Sequence, residues 1–260
     1  MKARLLRILQ HARLLGPAYR LYERLQSLRR GGGGTAGDGL PVPPARLRVR
    51  VAGTADLDWF LESGRLAEES IRAALARHSA AIEDVGPFLD FGCGCGRVTR
   101  RWAGLDGVHG SDMNSDAVAW CRRNLAFARF EPNGLGPPLA FADDSFGLVY
   151  ALSVFTHLPE ELQLEWQSEL RRVLRPGGLL LLTTHGRAYA DRLTAEERER
   201  FEAGEVVVRW EDVAGTNLCS AFHPESYLRG RLAEGFTFLE LDPEGARGNP
   251  RQDLSLLRKD

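Results

Sequence analysis

The sequence predicts a doubly wound α/β fold: a mainly parallel sheet with helices on both faces, preceded by a helical extension. Three observations carry this. From residue 87 onward, short apolar runs alternate with amphipathic stretches, the pattern of strands returning through crossover helices. The stretch "PFLDFGCGCGR" (87–97) ends an apolar run on Asp90 and turns through Gly92, Gly94 and Gly96. The next apolar run, "VHGSD", ends on a second acid, Asp112, 22 residues after the first. In open sheets of this kind ligands sit outside the carboxyl ends of the strands, where both acids fall.

Taken in order, residues 2–15 place Leu5, Ile8, Ala12 and Leu15 at helical spacing. Gly16-Pro17 interrupts the pattern, and Pro17 can open a second helix whose stripe runs through Tyr19, Tyr22, Leu25 and Leu28. Residues 1–30 hold eight Lys/Arg and one acid, Glu23, a charge of +7 in a chain whose total is −1, so the rest carries −8. The run "GGGGTAGDGLPVPP" (31–44) reads as a flexible Gly/Pro linker. Residues 45–84 read as a helical cap, with Leu66, Ser70, Ile71, Ala74, Leu75 and His78 at helical spacing and Gly64 as a break. Strands are then expected at 88–91, 108–111, 126–130, 146–153, 179–183, 236–241 and 254–257. Helices are expected at 97–105, 115–124, 159–174 and 188–202. "VVVRWED" (206–212) alternates like a strand inside an insertion at about 203–230, expected to shape the acceptor site.

A body with excess acid disfavours general nucleic-acid binding, which needs basic surface to neutralise phosphates. Four cysteines (93, 95, 121 and 219) in 260 residues are too few for a disulfide scaffold. Arginines break every apolar run of the N-terminus, which argues against a signal peptide, and no stretch approaches the ~20 apolar residues of a membrane span. The expectation is a cytoplasmic, reduced protein. The basic helix of residues 2–30 suits either peripheral contact with an anionic inner-membrane surface or docking on a protein, a second copy or the chain's own cap. The oligomeric state is left open.

"FLDFGCGCGR" could be a metal or redox site on Cys93 and Cys95, or a glycine loop in which cysteines fill small positions. The pair is separated by one residue and no second ligand pair follows at zinc spacing, so the loop reading is adopted, with no metal. Glycines bring the backbone close to a ligand. The helix expected from Arg97 would offer free N–H groups to an anion, and an acid at the tip of the second strand can accept from both hydroxyls of a ribose.

With these residues in view, the chain resembles the class I S-adenosylmethionine-dependent methyltransferases. The resemblance rests on "FLDFGCGCGR", on "GSDMNSDAVAWCRRN" (110–124), and above all on 137–186, with its step "RRVLRPGGLLLLT". It covers about 85–186 well and 187–260 loosely. It implies a Rossmann-like seven-stranded methyltransferase core over 85–260, closed by "FTFLEL" and "DLSLL" as an antiparallel pair, with S-adenosylmethionine as cofactor and S-adenosylhomocysteine as product. By the same resemblance Asp90, Gly92, Cys93, Gly94 and Gly96 would cradle the methionine half and Asp112 the ribose. Met113, Asn133 and Gly134 would border the adenine, though "EPNGLGPP" also reads as a plain turn, and Ser153 would meet the methyl-bearing part. Phe146-Gly147 departs from the family's usual Phe-Asp, with a stability cost expected.

His157, in "SVFTHLPE" at the ligand end of the fourth strand, is either a base or substrate contact or an organiser of the helix that follows. His185 in "TTHG" is the runner-up, and His223 in "AFHPESY" is placed in a lid over the acceptor. Trp59-Phe60 is read as core rather than a cofactor cover. Arg209 either holds an acidic acceptor or pairs with Glu211 or Asp212. The fourth strand is followed by "ALSVFTHL" instead of an Asn/Asp-Pro-Pro-Tyr/Phe signature, which leans toward O-methylation of a small molecule or glycan. A non-catalytic binding module or partner subunit on the same fold is the alternative. A nucleotide-dependent oxidoreductase is disfavoured by the G-x-G-x-G spacing.

Overall fold

The computed structural model describes residues 34–248 and 251–260, together with 16–18, 21 and 25. The basic helical extension of 1–30 therefore lies outside the described residues, apart from those five positions, of which Leu21 and Leu25 are exposed.

Nine strands form among the described residues: Phe88–Phe91 (β1), Val108–Asp112 (β2), Arg129–Pro132 (β3), Phe146–Ala151 (β4), Leu174–Thr184 (β5), Val207–Arg209 (β6), Ser220–Phe222 (β7), Phe236–Ala246 (β8) and Gln252–Lys259 (β9). Seven of them make one sheet in the order β3-β2-β1-β4-β5-β9-β8. The pairs from β3 through β5 are parallel, while β9 runs antiparallel between β5 and β8. The main helices are Ala45–Ala52 (α1), Leu57–Arg77 (α2), Ser115–Asn124 (α3), Glu160–Val173 (α4) and Ala195–Glu202 (α5).

The two-residue period of each central strand divides the core. Leu89, Phe91, Val149, Ala151, Leu180 and Leu182 pack with Trp166, Leu170 and Val173 of α4. Their neighbours Phe88, Leu148, Tyr150, Leu179 and Leu181 pack with Ala67, Ile71, Ala74 and Leu75 of α2. Every residue of β1 and β4 is buried, as expected of parallel strands covered on both faces. α2 starts at Asp56, whose carboxylate accepts from Trp59 N at 3.0 Å.

Several sequence expectations are corrected. Gly64 does not break α2, which runs unbroken for 21 residues. A Cβ at Gly64 would stand 2.3 Å from the Arg97 carbonyl oxygen, so the glycine lets the helix approach the loop after β1. No helix spans 97–105. The chain makes turns and a short 3-10 stretch at Thr99–Trp102, because Trp102 is drawn into the core against Phe88 and Tyr150. The described part of the Gly/Pro segment is docked, not loose: Val42 and Pro43 are buried, and Asp38 meets the buried Arg100 guanidinium at 2.7 and 2.8 Å. Gly147 is required by packing, since a Cβ there would lie 2.1 Å from Val85 O; the expected stability cost is replaced by a steric need. β5 begins earlier than expected and β8 ends later. Trp59 is partly exposed while Phe60 is fully buried, so only half of that pair is core.

The insertion between β5 and β8 contains α5, β6 and β7. β6 and β7 pair antiparallel, and β7 touches the end of β5 through a bridge between Phe222 and His185. This seats the insertion over the carboxyl ends of β4 and β5.

Candidate functional site

A cavity of about 410 Å³ opens at the carboxyl ends of β1, β2, β4 and β5. At one end stands the glycine loop. Gly92 and Gly94 have φ of 81° and 54°, a region that side-chain-bearing residues resist. Gly94 N donates to Asp112 Oδ2 at 2.8 Å, and Asn114 N donates to Asp112 Oδ1 at 2.7 Å. The carboxylate thus ties the tips of β1 and β2 together and keeps further lone pairs for hydroxyl donors. Burial pushes its pKa up, and the two N–H bonds and the Arg50 charge pull it down.

Asp90, at the end of β1, is buried and accepts from Thr99 Oγ1 at 2.5 Å. Burial pushes its carboxyl up to about 6, against the bond from Thr99 and the charge of Arg97. Arg97 itself is buried. Its Nη1 donates to Ser63 O at 2.9 Å, and its Nε has no partner. Arg97 lines the cavity beside the loop, with its Nε buried beneath the surface. In place of the expected helix N-terminus, the structure puts the buried Arg97 guanidinium.

Six of the residues expected around a cofactor, Asp90, Gly92, Cys93, Gly94, Asp112 and Met113, line this end, and Asn133, Gly134 and Ser153 line it further along. Gly96 does not. It faces away, and a Cβ there would meet Leu125 Cδ1 at 2.4 Å, so it serves packing against α3. Asn133 spends its amide on the protein, accepting from Ser111 Oγ at 2.7 Å and donating to Gly134 O at 2.7 Å. Met113 and Leu135 stand partly exposed as apolar lips. All four cysteines are free and buried; burial pushes the Cys95 thiol up to about 12, which leaves it protonated and unreactive.

The other end is built around His157 and His185, whose ring centroids are 6.5 Å apart and nearly perpendicular. His157 Nδ1 lies 2.7 Å from Cys219 O. A carbonyl oxygen only accepts, so in the neutral ring Nδ1 carries the hydrogen and Nε2 is left with a lone pair. Nε2 stands 3.5 Å from Ser153 Oγ, at the cavity wall. Burial lowers the pKa of His157, partly offset by the Cys219 bond.

His185 is differently held. Nδ1 donates to Ala221 O at 3.1 Å, and Nε2 faces Gln252 Nε2 at 3.2 Å. The direction of that contact follows from a chain of donors. Ser153 N donates to Thr183 Oγ1 at 2.8 Å, and Thr183 Oγ1 donates to Gln252 Oε1 at 2.6 Å. The Gln252 NH₂ must then give its hydrogens to His185 Nε2 and to Ser153 Oγ, the latter at 3.0 Å. The His185 lone pair is therefore occupied. Burial and the neighbouring His157 push its pKa down to about 4. Ser153 takes a left-handed φ of 59°, an uncommon state for serine and one met at functional turns.

His223 is not in a lid. It is 1% exposed, bonds Gln163 Oε1 at 3.0 Å and lies off the cavity. Arg209 pairs with neither Glu211 nor Asp212: its Nε meets Glu197 Oε1 at 2.8 Å and a second bond joins it to Oε2. Glu197 also closes the capping box of α5 with Thr194, so Arg209 braces the insertion.

The strap that roofs the cavity lies within the acceptor-site insertion expected at about 203–230, though its individual contacts were not read from the sequence. Gly215 N donates to His157 O at 2.8 Å, Asn217 Nδ2 donates to Arg50 O at 3.0 Å, and Cys219 O takes the His157 hydrogen. Val51, from α1, closes on Gly94, where a Cβ would lie 2.4 Å from Val51 Cγ2. Gln252 was also missed, for want of any local motif. Among the described residues no group of His, Cys, Asp and Glu could hold a metal ion, and no helix is long and apolar enough to cross a membrane.

Comparison with known proteins agrees with this geometry. Residues 88–178 match the family described as "Methyltransferase domain". A sterol 24-C-methyltransferase of Gibberella zeae is 34% identical over 128 residues, 43% of this chain and 32% of that protein. A malonyl-[acyl-carrier protein] O-methyltransferase of Erwinia pyrifoliae is 36% identical over 100 residues, 37% of this chain and 36% of that protein. The chain thus spans about a third of the length of these curated relatives. Among solved structures, a methyltransferase from Methanosarcina mazei superimposes with a TM-score of 0.52 at 22% identity, over 71% of this chain and 96% of that one. The glycopeptide N-methyltransferase MtfA complexed with S-adenosylmethionine gives 0.51 at 18% identity, over 74% of this chain and 93% of that one. Residues 88–178 are thus similar to a methyltransferase domain, and the fold is that of S-adenosylmethionine-dependent methyltransferases. S-adenosylmethionine is the cofactor of such methyltransferases, and the residues present suit it: a loop of positive-φ glycines with the Arg97 guanidinium beside it, and a carboxylate at the tip of β2.

Proposed function

We propose that this chain transfers the methyl group of S-adenosylmethionine to a hydroxyl of a small-molecule or glycan acceptor, with His157 as the base. The observation that carries the reading is the His157 tautomer. Its Nδ1 hydrogen is spent on Cys219 O, which leaves the Nε2 lone pair at the cavity wall.

When bound, S-adenosylmethionine supplies an electrophilic methyl group on a sulfonium, a good leaving group. The protein then has to orient, exclude water and handle one proton. Asp112 would accept from the ribose hydroxyls, and Arg97 with the Gly92–Gly94 backbone would hold the carboxylate end. Met113 and Leu135 offer apolar surface to the adenine. His157 Nε2 takes the acceptor's hydroxyl proton as the oxygen attacks. A lowered pKa keeps that imidazole neutral, and so competent as a base, at neutral pH. His185 is less suited, because Gln252 occupies its lone pair. The strap from 213 to 219 shields the site from water on the acceptor side. The test is labelled methyl transfer across a panel of hydroxyl acceptors, with cofactor binding measured separately. Binding without transfer to any hydroxyl would count against the acceptor class and leave the cofactor assignment standing.

A further inference from the structure

We infer that the acceptor carries an oxyanion, a carboxylate or phosphate, and that Arg192 is the residue that receives it. The inference rests on the proposed function, since it assigns the substrate class of that same site.

The two acids of the cavity lining, Asp90 and Asp112, both stand at the glycine-loop end. The opposite end presents Ser153, His185, Asn217, Ser220 and Arg192, and no carboxylate among its lining residues. Arg192 supplies the formal charge beside Tyr189 and His185, while Arg50, which also lines the cavity, stands by Asn217 through its backbone oxygen. Of the neighbouring arginines, Arg198 pairs with Asp191, Arg200 with Glu205 and Arg209 with Glu197, while Arg187 does not line the cavity. Arg192 has no ion-pair partner among the described residues. Its guanidinium instead lies 4.4 Å from the centroid of the Tyr189 ring, and Tyr189 stacks on His185 at 4.3 Å. The acids nearest Tyr189 do not answer it. Asp253 accepts from Glu244 N at 2.9 Å and is pushed toward its neutral form by burial, and neither Asp253 nor Glu244 lines the cavity.

A cation held on a buried ring is fixed in direction at little cost in side-chain freedom. Its fork of N–H donors matches an oxyanion in two parallel bonds. The His185 and Tyr189 rings lie between Arg192 and His157, which stands 6.5 Å beyond His185. The acceptor that fits has its nucleophile at one end, its anionic group at the other, and a flat or apolar body between them.

The test is a titration of the full chain, with and without S-adenosylhomocysteine, using benzoate, phenyl phosphate and the neutral benzamide, read by amide chemical shifts of residues 185–192. At least one of the two anions should bind at least about tenfold tighter than benzamide, and the stronger one tells carboxylate from phosphate. Arg192→Ala should bring the difference to within about twofold, and Arg192→Lys should keep only part of it, since lysine brings the charge without the fork. Equal binding of all three probes, no binding of any, or an anion preference that survives Arg192→Ala would overturn the inference. Failure of S-adenosylhomocysteine to bind would count against the cofactor assignment instead, and the anion comparison remains readable on the protein alone.

Discussion

The two ends of the cavity are built in opposite ways. The cofactor end is local. Asp90, the loop glycines and Asp112 fall within 23 consecutive residues, and the contact that joins them, Gly94 N to Asp112, spans 18. The acceptor end is assembled from afar. His157 is oriented by Cys219 across 62 residues, and Ser153 is bonded by Gln252 across 99. A site made of backbone turns and strand tips is written as a contiguous motif. A site made of side chains from four segments depends on the whole sheet closing first.

Removing an acceptor-end group should therefore act on rate, and removing a cofactor-end group on affinity. The largest expected effect is on rate. His157→Ala should lower methyl transfer to a hydroxyl acceptor by roughly 10²–10⁴-fold while leaving cofactor affinity nearly intact. A variant that keeps its full rate across the pH range would shift the base to another group.

The acceptor-end histidines also set a pH dependence. The folded pKa of His185 is depressed to about 4 from 6.5, so below pH 6.5 the unfolded chain binds the proton that the folded chain refuses. Its contribution is fully present above 6.5 and is lost as pH falls toward 4, by about 3 kcal/mol. His223, held down to about 3 by burial, acts in the same direction. Urea denaturation from pH 7 to pH 4 should show a fall in stability. His185→Gln should flatten the fall, and an unchanged slope would show that the ring is accessible to protons in the folded protein.

At the cofactor end, Gly64→Ala forces a methyl against the Arg97 carbonyl and should cost about 1–3 kcal/mol of stability, read as a lower Tm. It should also weaken cofactor binding by displacing Arg97. A variant as stable as the parent would mean that α2 can shift freely. The smallest effect is expected for Gln252→Ala, which frees the His185 lone pair and reaches His157 only through the Ser153 hydroxyl. It should change the rate by about tenfold or less, with a larger change pointing to a direct role for His185.

The same contrast explains what could be read from the sequence. The strands and the mainly parallel sheet follow from the alternation of apolar runs, because two-sided burial writes itself as continuous hydrophobicity, whereas the antiparallel closing pair came from the family resemblance. Asp90, Gly92, Gly94 and Asp112 could be placed because strand ends and glycines are punctuation. Gly96 and Gly64 were misjudged, since a glycine kept for close packing looks the same in sequence as one kept for a turn or a break. The helix expected at 97–105 gave way because burial of Trp102 outweighs helical periodicity. His157 and His185 could be named from their strand-end positions. Their unequal status could not, because it depends on Cys219, Ala221 and Gln252. His223, expected in a lid, proved to be core.

The central claim is that the cavity between the glycine loop and Asp112 binds S-adenosylmethionine. Calorimetric titration of the full chain with S-adenosylmethionine and S-adenosylhomocysteine, repeated on Asp112→Ala and His157→Ala, tests it most directly. Saturable one-to-one binding is expected for the parent and for His157→Ala. Folded Asp112→Ala should bind roughly 5–150-fold more weakly, the equivalent of about 1–3 kcal/mol for hydroxyls left without their acceptor. No binding of either ligand by the parent, or an Asp112→Ala variant of unchanged affinity, would contradict the account.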